Sequence, residues 1–165
     1  MPMIHRTWKL LATIGLSLGL AATALAATEP ATHQHHHGAA PAALTLNAGQ
    51  KWTTDAPLRS GMEHIRNALA AALPDIHRNT LSDTQYAALA NTLSGEVHGI
   101  VANCKLEPQA DAQLHLIIAD MLQGVEAMQG KRAQSMRQHG AVQVVGALEK
   151  YADFFDHPNW TPIRH

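Results

Sequence analysis

The sequence predicts an all-α protein: an antiparallel up-down-up-down four-helix bundle with a disordered, His-rich amino-terminal tail. Three observations predict it. Apolar residues recur at three- and four-residue intervals over four segments. Capping and stop residues bracket those segments. No run alternates apolar and polar positions between turn signals, so nothing reads as a strand.

The first segment, residues 1–26, reads as a secretory signal peptide. Arg6 and Lys9 precede an apolar run from Leu10 to Leu20, and Ala24-Leu25-Ala26 supplies the small-x-small exit that a signal peptidase accepts. Gly15 and Gly19 interrupt the run, which is short against the ~20 residues that span a bilayer. The expected location is the periplasm, with no membrane attachment after cleavage. Residues 27–50 follow, rich in Ala, Thr, Pro, Gly and His and without apolar period, and read as a disordered tail. Trp52, the first large apolar residue after it, is placed to pin the tail to the body, residues 51–165.

Each helix has its own signals. The first opens at Thr54-Asp55-Ala56-Pro57, with a capping side chain and a proline in the first turn. Its stripe is Leu58, Met62, Ile65, Leu69 and Leu73, and Pro74 should end or kink it. Ser82-Asp83-Thr84-Gln85 is a capping-box pattern that starts the second, with the stripe Tyr86, Leu89, Leu93, Val97, Ile100, Val101 and Cys104. The third runs from near Pro108 to Gly130, a favourable residue just past a helix end. Its stripe is Leu114, Ile117, Ile118, Met121, Leu122, Val125 and Met128. The fourth starts near Gly140 and stops before Pro158, along Ala141, Val145, Leu148, Ala152 and Phe155.

Composition excludes several functions. The chain has 165 residues, with 12 Lys+Arg against 13 Asp+Glu. Loss of Arg6 and Lys9 with the signal leaves a net charge of −3, which does not suit a general nucleic-acid binder. One cysteine excludes an internal disulfide framework and covalent c-type haem. The carboxylates lack the Glu-x-x-His pairs of a di-iron bundle. The glycines form no phosphate-binding loop. The methionines are too scattered for a copper box. No nucleophile, base and orienting group can be read together, so an enzyme is not expected.

Three constellations remain. His33-Gln34-His35-His36-His37 sets four imidazoles within five residues, a pattern able to gather around copper, nickel or zinc. The alternative is a solvated linker with incidental affinity. Cys104, His98, Asp111 and His115 form a second candidate, as a softer metal site or an activated thiol. The simpler reading makes Cys104 a small core residue, Asp111 a partner of the helix dipole and His115 a hydrogen-bonded flank residue. Third, antiparallel packing brings Met62 near the end of the fourth helix, where Tyr151, Phe154, Phe155 and His157 lie. Met with His is an axial pair for b-type haem, and this order of parts resembles cytochrome b562. The pattern departs in that His157 sits beside Pro158 at the frayed helix end, and the alternative is Met62 as core filler and His157 as a partner of the helix dipole.

The stretches Lys51-Trp52-Thr53-Thr54-Asp55-Ala56-Pro57-Leu58-Arg59-Ser60-Gly61-Met62, Ile100-Val101-Ala102-Asn103-Cys104-Lys105-Leu106 and Phe155-Asp156-His157-Pro158 resemble those of a group of small exported proteobacterial proteins, some labelled DnrO protein. The resemblance covers about residues 45–160. It implies export and helical character and carries no catalytic residues. The expectation is therefore a periplasmic, non-enzymatic binding protein for copper or another divalent metal through His33, His35, His36 and His37. A b-type haem carrier is the alternative, and a structural or partner-binding module the third.

Overall fold

The computed structural model describes residues 43–132 and 136–164. The signal segment 1–26, residues 27–42 of the tail, and His33, His35, His36 and His37 lie outside the described residues. The rest is mainly helical: α1 (Ala56–His77), α2 (Asp83–Asn103), α3 (Pro108–Met128) and α4 (Arg137–Phe154). Two short strands flank them, β1 (Trp52–Thr53) and β2 (Phe155–Asp156).

The caps act as the sequence predicts. Asp55 Oδ1 accepts the Leu58 N–H at 2.9 Å at the start of α1. In α2 the Gln85 N–H donates to Ser82 Oγ at 3.3 Å, and the Ser82 N–H donates to Gln85 Oε1 at 2.8 Å, closing the capping box. Past α3, Gly130 adopts φ 73°, and the Gly130 and Lys131 N–H groups reach back to the Ala127 and Glu126 carbonyls. Two returning bonds of this kind satisfy carbonyls that the helix end would otherwise orphan. Asn79, at φ 52°, closes α1 in the same way.

The inward stripes form one core. Leu58, Met62, Ile65 and Leu69 of α1 are fully buried, as are Leu93 of α2, Ile117 and Met121 of α3, and Tyr151 of α4. Burial of this kind, at about 25 cal/mol per Å² of apolar surface, is the main term holding the helices together. Adjacent helices pack as α1 on α2, α2 on α3, α3 on α4 and α1 on α4. Side chains bridge neighbouring helices: His64 of α1 reaches Glu96 of α2, Gln129 just past α3 reaches Asn91 of α2, and Gln138 near the start of α4 donates to the Ile76 carbonyl near the end of α1.

Four details differ from the sequence expectation. Pro74 does not end α1, which continues to His77. The proline removes a single bond near a terminus, and burial of Ile76 holds the last turn inward. Val101 is 55 % exposed and leaves the α2 stripe. The fourth helix starts at Arg137, before Gly140, because Gly140 is needed inside it at the crossing with α3. Strands do occur: β1 pairs with β2 in parallel, Trp52 opposite Phe155 and Thr53 opposite Asp156. Two-residue strands are too short to leave an alternating pattern.

Residues 43–50 also differ from a disordered tail. Asn47 and Gln50 exchange both backbone hydrogen bonds, at 2.8 and 2.9 Å, around Ala48 and Gly49, both with positive φ. That is the backbone of a tight primed turn. The Thr45 N–H donates to Gln113 Oε1 of α3, and the buried Trp52 indole donates to the Thr45 carbonyl, each at 2.7 Å. Trp52 thus pins this segment to the body.

Candidate functional site

The first candidate lies where α1 begins and α4 ends. His157 is buried, with 1 % of its side chain exposed, and not frayed. After β2 the chain turns sharply. The Trp160 N–H donates to the His157 carbonyl at 3.1 Å, with Pro158 and Asn159 (φ 63°) between. Proline followed by a residue of positive φ is the arrangement of a type II turn. The turn folds His157 back over the helix end. Its ring sits 4.9 Å from the Trp160 ring and 5.8 Å, edge to face, from the Tyr151 ring. Tyr151 in turn stacks on Phe155 at 5.5 Å.

Both ring nitrogens of His157 are engaged. Nε2 lies 3.1 Å from Glu63 Oε1, and Nδ1 lies 2.9 Å from the Tyr151 hydroxyl. An ionised carboxylate only accepts, so Nε2 carries the proton and donates to it. In the neutral imidazole Nδ1 then accepts from Tyr151. Carboxylate, imidazole and hydroxyl follow in the order of a nucleophilic relay, but the hydroxyl cannot serve as one. Tyr151 is fully buried, and burial raises the pKa of its phenol, as do the charges of Glu63, Asp55 and Asp156, against a lowering by Arg59. The network is suited to fixing the C-terminal turn over the core.

This geometry bears on Met62 and His157 as a haem pair. Met62 is fully buried in the core, one residue from the Glu63 that holds His157. Axial ligation through either His157 nitrogen would break one of its two hydrogen bonds.

The second candidate is a cleft of about 340 Å³ at the α2–α3 link. Cys104, Asp111 and His115 line it together, whereas His98 is exposed and does not. Cys104 ends α2, its N–H bonded to the Ile100 carbonyl at 2.9 Å. Burial pushes its thiol pKa up to about 11, and the charges of Asp55 and Asp111 add to the rise. The thiol is thus protonated near neutral pH, the reverse of activation. His115 Nδ1 donates to the Asp111 carbonyl at 2.8 Å and stands 3.4 Å from its carboxylate. Asp55 bridges this corner to α1: its Oδ2 accepts the Lys105 N–H at 2.6 Å. Among the described residues, no group of three or more His, Cys, Asp or Glu side chains is gathered to hold a metal ion.

Sequence reasoning missed three partners: Glu63, Trp160 and Asp55 in its second role. Only the Pro158-Asn159 dipeptide offered a signal, that of a turn. No helix among the described residues is long and apolar enough to cross a membrane. No protein-family model matches the chain, and no curated protein or solved structure shows a significant match to it.

Proposed function

We propose that this chain is an exported, non-enzymatic binding protein. Its helices form an up-down-up-down antiparallel bundle, and it holds copper, or another divalent metal such as nickel or zinc, through His33, His35, His36 and His37. The observation that carries the reading is the density of the tract: four neutral imidazoles within five residues, each a ligand for these ions. The contact between Ile76 near the end of α1 and Gln138 near the start of α4 supports an antiparallel arrangement of that pair. The raised thiol pKa of Cys104 supports a packing role for that residue. The engaged nitrogens of His157 favour a structural role over haem ligation.

The test is copper titration by calorimetry of the chain without residues 1–26. A variant also lacking 27–42 is compared with one in which His33, His35, His36 and His37 are alanine. Residues 43–50 stay, because they contact the body. Both variants are expected to lose most of the binding. Unchanged stoichiometry in either would move the site into the body and overturn the reading. Metal analysis of protein taken from its native periplasm identifies the ion.

A further inference from the structure

The chain has two tyrosines, and both are buried, Tyr86 at 3 % and Tyr151 at 0 % exposure. Their hydroxyls differ. That of Tyr86 is out of water and has no hydrogen-bond partner among the described residues. That of Tyr151 donates to His157 Nδ1 at 2.9 Å. His157 Nε2 in turn stands 3.1 Å from Glu63 Oε1, and the Glu63 side chain is 51 % exposed. A buried phenol is therefore joined to a water-facing carboxylate through one imidazole. Imidazole can take a proton on one nitrogen while giving one from the other.

The rings supply a second path. Trp160 is partly exposed, and its ring centroid lies 5.2 Å from that of Tyr151, edge to face at 73°. Burial keeps a substrate away from the phenol, but an electron needs no such contact and crosses between touching rings. A phenol that loses an electron becomes a strong acid, so its oxidation is favourable where a base waits for the proton. Burial holds the Tyr151 proton in place until then, so electron and proton leave together. Tyr86 has no such base.

We propose that Tyr151, His157 and Glu63 form a proton-coupled oxidation site, fed through Trp160, whose substrates are diffusible one-electron oxidants of the radical-anion class. The oxidant takes one electron from the Trp160 indole and leaves reduced by one electron. Tyr151 then gives an electron to the Trp160 radical cation and its phenolic proton to His157 Nδ1. His157 passes its Nε2 proton to Glu63, which releases it to water. One electron and one proton have left, and a neutral tyrosyl radical remains inside the core. The proposal is independent of the metal reading, since none of its residues belongs to the His tract.

The experiment uses the chain without residues 1–26, with a chelator and no metal added. A light flash with persulfate generates a ruthenium(III) tris-bipyridine oxidant. Transient absorption follows the indole and tyrosyl radicals, and electron paramagnetic resonance identifies the second. The indole signal should rise first and the tyrosyl signal should replace it. Tyr86→Phe should leave the tyrosyl yield unchanged, and Tyr151→Phe should abolish it. Trp160→Phe should delay the tyrosyl rise. Glu63→Gln, at its half-exposed position, should slow that rise about tenfold, the difference between a charged and a neutral hydrogen bond. Heavy water should slow the tyrosyl rise and leave the indole rise alone, an effect that a merely structural network would not produce. If Tyr151→Phe fails to fold, Tyr86→Phe alone assigns the radical, because only two tyrosines are present. A radical on Tyr86, or no tyrosyl signal, would overturn the proposal. So would a rise unchanged by Trp160→Phe, by Glu63→Gln or by heavy water.

Discussion

Gly124 of α3 and Gly140 of α4 face each other across the helix crossing. A Cβ built on Gly140 would stand 2.5 Å from the Gly124 carbonyl oxygen, and one on Gly124 would stand 2.6 Å from the Gly140 carbonyl oxygen. Both obstacles are backbone, so neither can swing aside. Gly124→Ala or Gly140→Ala should therefore force the helices apart and cost about 1–3 kcal/mol, despite alanine's better helix propensity. Gly95→Ala and Gly146→Ala, where nothing lies within 4 Å, should stabilise by about 0.5–1 kcal/mol. Urea unfolding of the four variants checks the contrast. A destabilisation shared by all four would remove the steric explanation.

The Tyr151–His157–Glu63 network makes a graded prediction. Tyr151→Phe leaves a buried His157 nitrogen without its donor and should cost about 1–3 kcal/mol. Glu63→Gln keeps an acceptor at a half-exposed position and should cost less than about 1 kcal/mol. The reverse order in denaturant unfolding would contradict the buried arrangement.

Tyr151 also sets a dependence on pH. Its phenol holds its proton more tightly folded than unfolded. The stability it contributes is thus fully present below the unfolded pKa near 10, and is lost as pH rises through the higher folded value. Stability followed between pH 9 and 11.5 should fall in the native chain and fall less steeply in Tyr151→Phe. Tyr86, also raised by burial, and Cys104 retain the remaining decline.

Cys104 should react slowly. With its pKa at about 11, alkylation by iodoacetamide should reach half its maximal rate near pH 11, against about 8.5 for a free thiol. Asp111→Asn removes one of the charges that raise the pKa, so the profile should shift down. A native profile centred at 8.5 would show an exposed thiolate.

Asp55 holds two elements with one carboxylate, the first turn of α1 through Leu58 and the α2–α3 link through Lys105. Asp55→Ala should therefore cost about 2 kcal/mol, the upper end for losing a helix cap. Asp55→Asn, which keeps an acceptor for Leu58, should recover part of it. Equal losses in the two variants would show that the cap bond contributes nothing.

What the sequence made legible was what repeats. Four apolar stripes and the caps at Asp55, Ser82 and Gly130 are local patterns, and each is present in the structure, except that Val101 faces out of α2 and Phe155 falls in β2. What it hid is carried by single contacts between distant residues. Nothing near Glu63 announces His157, ninety-four positions on. Gly140 reads locally as a helix start, and only its approach to Gly124 explains a glycine inside α4. His157 looked peripheral because it precedes a proline, yet that same proline makes the turn that buries it. The Cys104, Asp111 and His115 neighbourhood was legible because the tight link between α2 and α3 keeps it local. His98 was not separable from it by spacing alone.

The pairing of Trp52 with Phe155 joins positions 103 residues apart, so its loop-closure cost is large until the intervening helices dock. Its separation in sequence makes it the contact expected to close last in folding and to open first. Hydrogen exchange at Thr53 and Asp156 should outrun exchange in α3, releasing both flanking segments while the four coils stay shut.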